Sequence, residues 1–95
     1  MTQVTVHVKN KTGIHARPAG KISREASKFK DTRISIIKGE MSANAKSILS
    51  ILGIEAITNC ELILEADGPE EKEAIAALKT LFESSFVDES KGNKN

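Results

Sequence analysis

Aromatic side chains are nearly absent from this 95-residue chain, which contains no Trp or Tyr and only three Phe. Proteins that bind single-stranded nucleic acids stack the bases on aromatic rings, so this scarcity argues against a nucleic-acid partner. Cysteine is equally scarce, since Cys60 has no second thiol in the chain with which to form a disulfide. This argues against a secreted, disulfide-stapled domain and indicates a reducing, cytoplasmic compartment.

Long apolar segments are also missing, and no run approaches the roughly 20 residues that a membrane-spanning helix needs. Residues 1–5 mix polar and apolar side chains, which is unlike the apolar core of a signal peptide. We therefore expect no membrane insertion and a cytoplasmic location. A chain of this length forms one domain with a modest core, so we expect its chemistry at the surface, completed by a partner protein.

Charge is divided unevenly along the chain, although its formal net value is only +1. Residues 1–50 hold ten Lys/Arg and three Asp/Glu, a balance of +7, whereas residues 51–95 hold four and ten, a balance of −6. A basic surface attracts acidic partners and phosphate groups. The alternative is an ordinary solvated surface on which both signs are mixed.

Apolar spacing predicts seven secondary-structure elements in the order β-α-β-β-α-β-α. Apolar and polar side chains alternate over residues 4–9, which predicts a half-buried strand. Apolar residues three or four apart follow Pro18 and predict a first helix, and a proline suits the first turn of a helix. The other predicted elements are strands at 33–37, 41–43 and 61–66, a short helix between Ser47 and Gly53, and a long helix that begins near Glu70 and reaches Phe86.

The element order predicts an α+β fold. Helices that return to one face of a mostly antiparallel sheet form a two-layer sandwich. We assign residues 1–87 to one domain. The remaining residues, 88–95, are polar, and we expect them to form a frayed tail.

The segment Thr12–Ala19, Thr-Gly-Ile-His-Ala-Arg-Pro-Ala, carries the strongest indication of function. It places His15 at or just before the start of the first helix, where free backbone N–H groups and the positive end of the helix dipole bind phosphate readily. Arg17 lies two residues further on, and its planar guanidinium can reach the same phosphate oxygens. We therefore predict a phosphate-binding site at His15, Ala16 and Arg17.

The imidazole of His15 is suited to accept a phosphoryl group, because a neutral imidazole nitrogen is a good nucleophile and free histidine is mostly neutral at cytosolic pH. Phosphoryl transfer needs mainly positioning and charge stabilisation, which a partner can complete. The alternative is a histidine that only caps the helix, and the company of Gly13, Arg17 and Pro18 argues against it. A metal site is not predicted, since the second histidine, His7, lies on a strand and faces outward.

The segment Thr12–Ala19 resembles the active-site signature of the HPr family, the histidine phosphocarriers of the phosphoenolpyruvate-dependent phosphotransferase system. The resemblance extends over residues 4–86 and includes residues 26–29, Ala-Ser-Lys-Phe, and residues 44–48, Asn-Ala-Lys-Ser-Ile. It implies an open-faced β-sandwich, in which a four-stranded antiparallel sheet carries three helices on one face. This fold agrees with the element order that the apolar spacing predicts.

The resemblance also implies a function and a set of partners. Enzyme I would phosphorylate His15 on its pros nitrogen, Arg17 would stabilise the phosphate, and a IIA protein or domain would receive it. The chain would be a carrier and not an enzyme, would need no cofactor or metal of its own, and would act as a monomer. Partner docking is assigned to Thr12, Gly13, Ala16, Gly20, Arg24, Ile48, Leu49 and Leu52.

Ser47 precedes the short helix, where an N-cap residue belongs. In HPr proteins with a matching Lys-Ser-Ile segment this serine is phosphorylated by HPr kinase/phosphorylase, so the resemblance makes Ser47 a candidate regulatory site. A phosphate there would add roughly two negative charges to the docking surface and would repel an acidic enzyme I. Plain capping of the helix is the alternative.

Two branches of the family fit the sequence. Residues 67–71, residues 81–86 and the pair Asn10-Lys11 resemble NPr, the carrier of the nitrogen-related branch, whereas Lys46–Ile48 resembles ordinary HPr, which serves sugar uptake. A second hypothesis is a regulatory binding module in which His15 never turns over. A third is a small-ligand-sensing domain, for which the sequence offers no glycine-rich ligand loop.

Overall fold

The computed structural model describes residues 1–9, 13–84 and 86, which form seven elements in the predicted order. The strands are β1 (Thr2–His7), β2 (Arg33–Lys38), β3 (Met41–Asn44) and β4 (Glu61–Asp67). The helices are α1 (Ala16–Ala26), α2 (Ile48–Gly53) and α3 (Glu71–Glu83). The predicted α+β fold class is therefore confirmed.

The four strands form one antiparallel sheet in the order β1-β4-β2-β3. β4 lies in the interior of the sheet, where Leu64 is opposite Val4 of β1 on one side and Ile36 of β2 on the other. β2 and β3 form a hairpin in which Lys38 pairs with Met41. Because side chains alternate between the two faces of a strand, each strand turns one row towards the helices, while the outer row is mostly polar and includes the paired Ile37 and Ile63.

The core lies between one face of the sheet and the three helices. The inner face of the sheet contributes the buried residues Val6, Ile34, Ile36, Leu62, Leu64 and Ala66. The helices contribute Ala19, Ile22, Ala26, Ile51, Ala74, Ile75, Leu78 and Phe82. On the outer face of the sheet, Thr5, His7 and Glu61 are exposed. The open-faced sandwich with its helices on one side is thus confirmed.

Ser47 begins α2, as the sequence predicts. Its backbone is extended, and its Oγ accepts a hydrogen bond from the N–H of Ser50 at 3.2 Å. Its carbonyl accepts the N–H of Ile51 at 3.0 Å and closes the first helical turn. A serine cap contributes about 1 kcal/mol. α2 ends at Gly53, and residues 54–60 form the α2–β4 loop.

The α2–β4 loop is held at both ends by hydrogen bonds. The Lys38 ammonium donates to the carbonyl oxygens of Ile54 at 3.1 Å and Glu55 at 3.0 Å. At the other end, the N–H of Asn59 donates to the Val8 carbonyl at 2.7 Å. Glu55 and Asn59 have φ angles of +50° and +69°, a left-handed conformation that is costly for residues with a side chain. The surrounding bonds hold the loop in this conformation.

Residues 10–12, which include the docking candidate Thr12, lie outside the described residues. The same holds for the polar tail at 88–95, and the domain boundary at residue 87 stays a prediction. Across the part of the chain that the structure describes, no helix is both long enough and apolar enough to cross a membrane.

Candidate functional site

His15 occupies the N-cap position of α1, where the chain changes from an extended backbone (φ −107°, ψ −164°) to the helix. Its carbonyl accepts the N–H of Ala19 at 3.0 Å. Its imidazole makes no cap hydrogen bond and is exposed. The ring therefore does not cap the helix and lies open to solvent, while its role as phosphoryl acceptor stays a prediction.

The first turn of α1 favours an anion. The first N–H groups of a helix have no partner within the helix, and the helix dipole adds partial positive charge there. Pro18 contributes no N–H and is buried, so the nearest donors beyond His15 are the N–H groups of Ala16 and Arg17. This turn contains no acidic residue that would repel a phosphate.

Arg17 brings a full positive charge to the same turn. Its side chain is exposed, and its guanidinium has no hydrogen-bond or ion-pair partner among the described residues. A guanidinium presents several N–H donors in one plane, which matches the spacing of phosphate oxygens. The geometry therefore suits the predicted role of Arg17, although the contact with phosphate itself stays a prediction.

The turn before His15 is fixed from behind by the α2–β4 loop. Ile14 is buried, and its N–H donates to the Ala56 carbonyl at 2.8 Å. Gly13 has a φ of +73°, and a Cβ built there would lie 2.7 Å from the Ala56 oxygen and 3.0 Å from the Ile57 Cα. Glycine alone fits this approach without displacing the loop. Gly13 thus shapes the turn, while its contact with a partner stays a prediction.

Ala16, Gly20 and Arg24 lie four residues apart and share one strip along α1. Ala16 and Arg24 are exposed, and Gly20 is half-buried with no heavy atom within 4 Å of a Cβ built on it. The strip begins next to His15. The structure therefore brings together these predicted docking residues with the predicted phosphate site, and it leaves room for a partner to approach α1 closely at Gly20.

Helix α2 packs beside α1 and supplies apolar side chains to the same surface. Ile51 faces the core and is 1% exposed, whereas Leu49 is 82% and Ile48 43% exposed. Leu52 is half-buried and packs against the core. Large apolar side chains exposed together often mark a binding surface. The exposure of Ile48 and Leu49 is compatible with the docking role predicted for them, and that role stays a prediction.

Lys46 ties the start of α2 to α1. The Ser23 hydroxyl of α1 donates to the Lys46 carbonyl at 2.8 Å, and the Lys46 ammonium donates to the Phe29 carbonyl at 2.7 Å. These bonds hold the half-buried Ser47 against the helix that carries the docking strip. A change of charge at Ser47 would therefore alter the electrostatic potential beside α1.

Ile57 is a docking candidate that the sequence reasoning missed. It is 66% exposed, and its Cα borders Gly13 in the turn that leads to His15. Helical and strand spacing cannot mark a single apolar residue in a loop, because neither period applies there. The only sequence signal is an isoleucine in the short stretch Glu55–Asn59, in which Ala56 is the one other apolar residue.

Other reactive side chains lie apart from this site. His7 is exposed on the outer face of the sheet, in the β1 position that pairs with Glu61. Cys60 is half-buried just before β4, and its thiol lies 3.9 Å from the Glu61 carbonyl oxygen. No group of three or more His, Cys, Asp or Glu side chains suited to a metal ion occurs in the described ranges.

Comparison with known proteins gives consistent matches. The family model for the PTS HPr component phosphorylation site matches residues 2–84. Phosphocarrier protein HPr of Treponema pallidum is 39% identical, and the match covers 94% of this chain and 100% of the relative. Phosphocarrier protein NPr of Escherichia coli K12 is 36% identical over 90% of this chain and 94% of its own length. The crystal structure of HPr from Thermoanaerobacter tengcongensis has a TM-score of 0.87 and 43% identity, covering 93% of this chain and 98% of that one.

The fold and the exposed histidine at the start of a helix define a small histidine-bearing α+β protein of the phosphocarrier class. The chain belongs to the PTS HPr family, since the family model covers nearly all of the described residues. As a member of that family it is a phosphocarrier component of the phosphotransferase system.

Proposed function

We propose that His15 accepts a phosphoryl group from phosphorylated enzyme I and donates it to a IIA protein or domain. The proposal rests mainly on the imidazole of His15, which is exposed at the N-terminus of α1 and makes no cap hydrogen bond. A nucleophile in this position needs no cleft of its own, because the partner supplies the second wall of the site. We further propose a cytoplasmic, monomeric carrier.

The transfer step conserves atoms and charge. The lone pair of the pros nitrogen of His15 attacks phosphorus, and an N–P bond forms while the bond from phosphorus to the donor residue breaks. The electron pair of the broken bond stays on the donor, and the proton on the other ring nitrogen of His15 stays in place. Donation to the IIA partner is the same exchange with His15 as the leaving group.

The neighbouring groups stabilise the phosphoryl group without trapping it. The positive end of α1 contributes about 0.3–1 kcal/mol to an exposed negative charge, and the Arg17 guanidinium adds charge-assisted hydrogen bonds. Both act in solvent, where screening keeps each contribution small. A carrier that loads and unloads benefits from such modest stabilisation.

The docking surface combines charge with apolar area. Arg17 and Arg24 lie on the α1 side, and Ile48, Leu49 and the newly identified Ile57 provide the exposed apolar side chains. This combination fits a partner with a complementary apolar patch inside an acidic rim. Enzyme I and IIA would use the same surface in turn, since both must reach His15.

A second proposal concerns regulation through Ser47. Its hydroxyl is half-buried in the cap of α2 beside the docking strip, so a phosphate attached there would add negative charge where partners bind. HPr kinase/phosphorylase is the partner that this proposal requires. The same regulation is compatible with the sugar branch and with the nitrogen-related NPr branch.

The loading step is tested with enzyme I, magnesium and phosphoenolpyruvate, followed by intact mass and ³¹P NMR. We expect one acid-labile phosphate on the wild type and on His7→Ala, and none on His15→Ala. His7→Ala is the matched control, because it removes the other histidine of the chain from the opposite side of the sheet. Phosphate on His15→Ala, or none on the wild type with an active enzyme I, contradicts the proposal.

A further inference from the structure

The α2–β4 loop is the support against which the His15 turn rests. The Ala56 carbonyl binds the N–H of Ile14 at 2.8 Å. The backbone of Gly13 approaches the same carbonyl so closely that no side chain fits between them. Any shift of the Ala56 carbonyl therefore moves the two residues that lead into His15.

Lys38 holds the start of this loop from the sheet. It is the last residue of β2, and its Nζ donates to the carbonyls of Ile54 at 3.1 Å and Glu55 at 3.0 Å. The Glu55 carbonyl belongs to the peptide bond that joins Glu55 to Ala56. The ammonium group of Lys38 thus binds the peptide group directly before the carbonyl that binds Ile14.

We propose that Lys38 is a positioning residue for phosphoryl transfer. By binding the Ile54 and Glu55 carbonyls, it fixes the Ala56 carbonyl and through it the direction in which the His15 imidazole faces an incoming phosphoryl group. This inference rests on the proposed carrier function of His15. Transfer rates depend steeply on the alignment of the reacting atoms, so a small displacement of the turn is sufficient to slow the reaction.

The competing role for Lys38 is a purely structural one. The carbonyls it binds lie at the C-terminus of α2, where a cation is favourable in any helix. A structural cap would change the free energy of unfolding without a specific effect on His15. The two roles are separable, because only the positioning role requires a local effect at Ile14 and a lower rate of transfer in the folded protein.

Three variants test the proposal in the full-length protein. Lys38→Met retains most of the aliphatic stem and removes the donors, whereas Lys38→Arg retains donors that can bind two carbonyls. Lys72→Met is the control, because Lys72 is an exposed lysine of α3 without a hydrogen-bond partner among the described residues. For each variant, the kcat and KM of loading by phosphorylated enzyme I, the urea midpoint and the amide exchange rate at Ile14 are measured.

We expect Lys38→Met to lower kcat roughly tenfold with a smaller change in KM, since the docking residues of α1 and α2 are untouched and only Ile57 lies on the loop that Lys38 holds. Exchange at Ile14 should rise more than exchange in α3. Lys38→Arg should restore most of the rate, and Lys72→Met should match the wild type.

An unchanged kcat in Lys38→Met overturns the Lys38 proposal, whereas loading of the wild type still supports the carrier function. The Lys38 proposal is also overturned if only KM changes, or if amide exchange at Ile14 rises no more than exchange in α3. Failure of the wild type itself to load is a different result, because it rejects the carrier function on which the proposal rests.

Discussion

At the residue scale, the absence of a side chain at Gly13 allows the turn before His15 to pack closely against the α2–β4 loop. The substitution Gly13→Ala would place a methyl group 2.7 Å from the Ala56 oxygen on a backbone with a φ of +73°. The overlap and the left-handed conformation both oppose it. We expect a loss of about 1–3 kcal/mol in the free energy of unfolding and slower loading of His15, measured by urea unfolding and by the rate of phosphorylation.

Gly20→Ala is the control for the stability part of that prediction. Gly20 lies within α1, and a Cβ there meets no heavy atom within 4 Å. Alanine is the better helix former, so this variant should gain about 0.5–1 kcal/mol. Equal changes in the free energy of unfolding in the two variants would contradict this prediction. They would show that a side chain is tolerated as well at Gly13 as at Gly20.

Glu71 is the residue whose titration the structure changes most clearly. The Thr2 hydroxyl donates to its Oε2 at 2.7 Å, the Met1 amino group lies 2.9 Å from the same oxygen, and the Gly68 N–H donates to its Oε1 at 3.1 Å. Led by the hydrogen bond from Thr2, these contacts lower the pKa of Glu71 from 4.5 to about 2. The charged carboxylate is therefore the form that stabilises the start of α3.

The sign of the resulting pH dependence follows from this lowered pKa. The contribution of Glu71 to the free energy of unfolding is fully present above about pH 4.5 and is lost as the pH falls towards 2. Glu71→Gln should be less stable at neutral pH and should lose less stability on acidification. Urea unfolding across the acid range compares the two proteins, and parallel pH profiles would refute this assignment.

The sequence predicts His15, Arg17 and Ser47 because local patterns mark them: a motif at a helix start for the first two, and a capping position for the third. It does not predict Lys38 or Ile57. The role of Lys38 depends on carbonyls 16 and 17 residues away along the chain. A contact over that distance does not produce a helical or strand periodicity in the sequence. The exposure of Ile57 depends on where its loop lies against the Gly13 turn.

At the scale of elements, Ser47 caps the six-residue helix α2, and its proposed second function is to change the charge of the docking surface. Ser47→Asp and Ser47→Asn separate these functions, because both side chains can cap a helix and only aspartate adds charge. We expect Ser47→Asp to raise the KM of loading several-fold, roughly as one unfavourable charge contact of about 1 kcal/mol would. Ser47→Asn should load like the wild type.

Measurements at increasing salt concentration test whether the difference between these two variants is electrostatic. Exposed charges are screened at high ionic strength, so the difference between Ser47→Asp and Ser47→Asn should shrink as salt is added. Stability measured by urea should be similar for both. Identical KM values at low salt would show that charge at Ser47 does not act on the partner.

The ends of the elements are harder to predict than their existence. The apolar spacing that predicts the first helix continues through Ala26 to Phe29, but α1 ends at Ala26 and Phe29 lies half-buried beyond it. The alternation of residues 4–9 predicts β1 somewhat late, because the strand is defined by its pairing with β4, which begins with Thr2 opposite Ala66. Strand ends depend on a partner strand that local spacing does not contain.

At the scale of the whole molecule, the order of elements is sufficient to predict an α+β sandwich, but it does not predict the strand order β1-β4-β2-β3. That order brings together strands far apart in sequence, and periodicity records only which face of each strand is apolar. It matters for function, because the same arrangement brings the α2–β4 loop beside the His15 turn.

The charge distribution also has a meaning at this scale. The half of the chain with a balance of +7 contains α1 and its docking strip, whereas the half with −6 contains β4 and α3. Of the basic residues in the first half, Arg17 and Arg24 are exposed on α1, the helix that begins at His15. Under the proposed function, these charges would raise the rate of encounter with an acidic partner.

The most direct test of the account is the second half of the transfer. The phosphorylated protein, freed of enzyme I and phosphoenolpyruvate, is mixed with a IIA protein, and the intact masses of both are followed over time. The account predicts that the carrier loses one phosphoryl group as the IIA protein gains one, with no exchange when His15→Ala is used. A stable phosphorylated carrier beside a cognate IIA protein that stays unphosphorylated would contradict it.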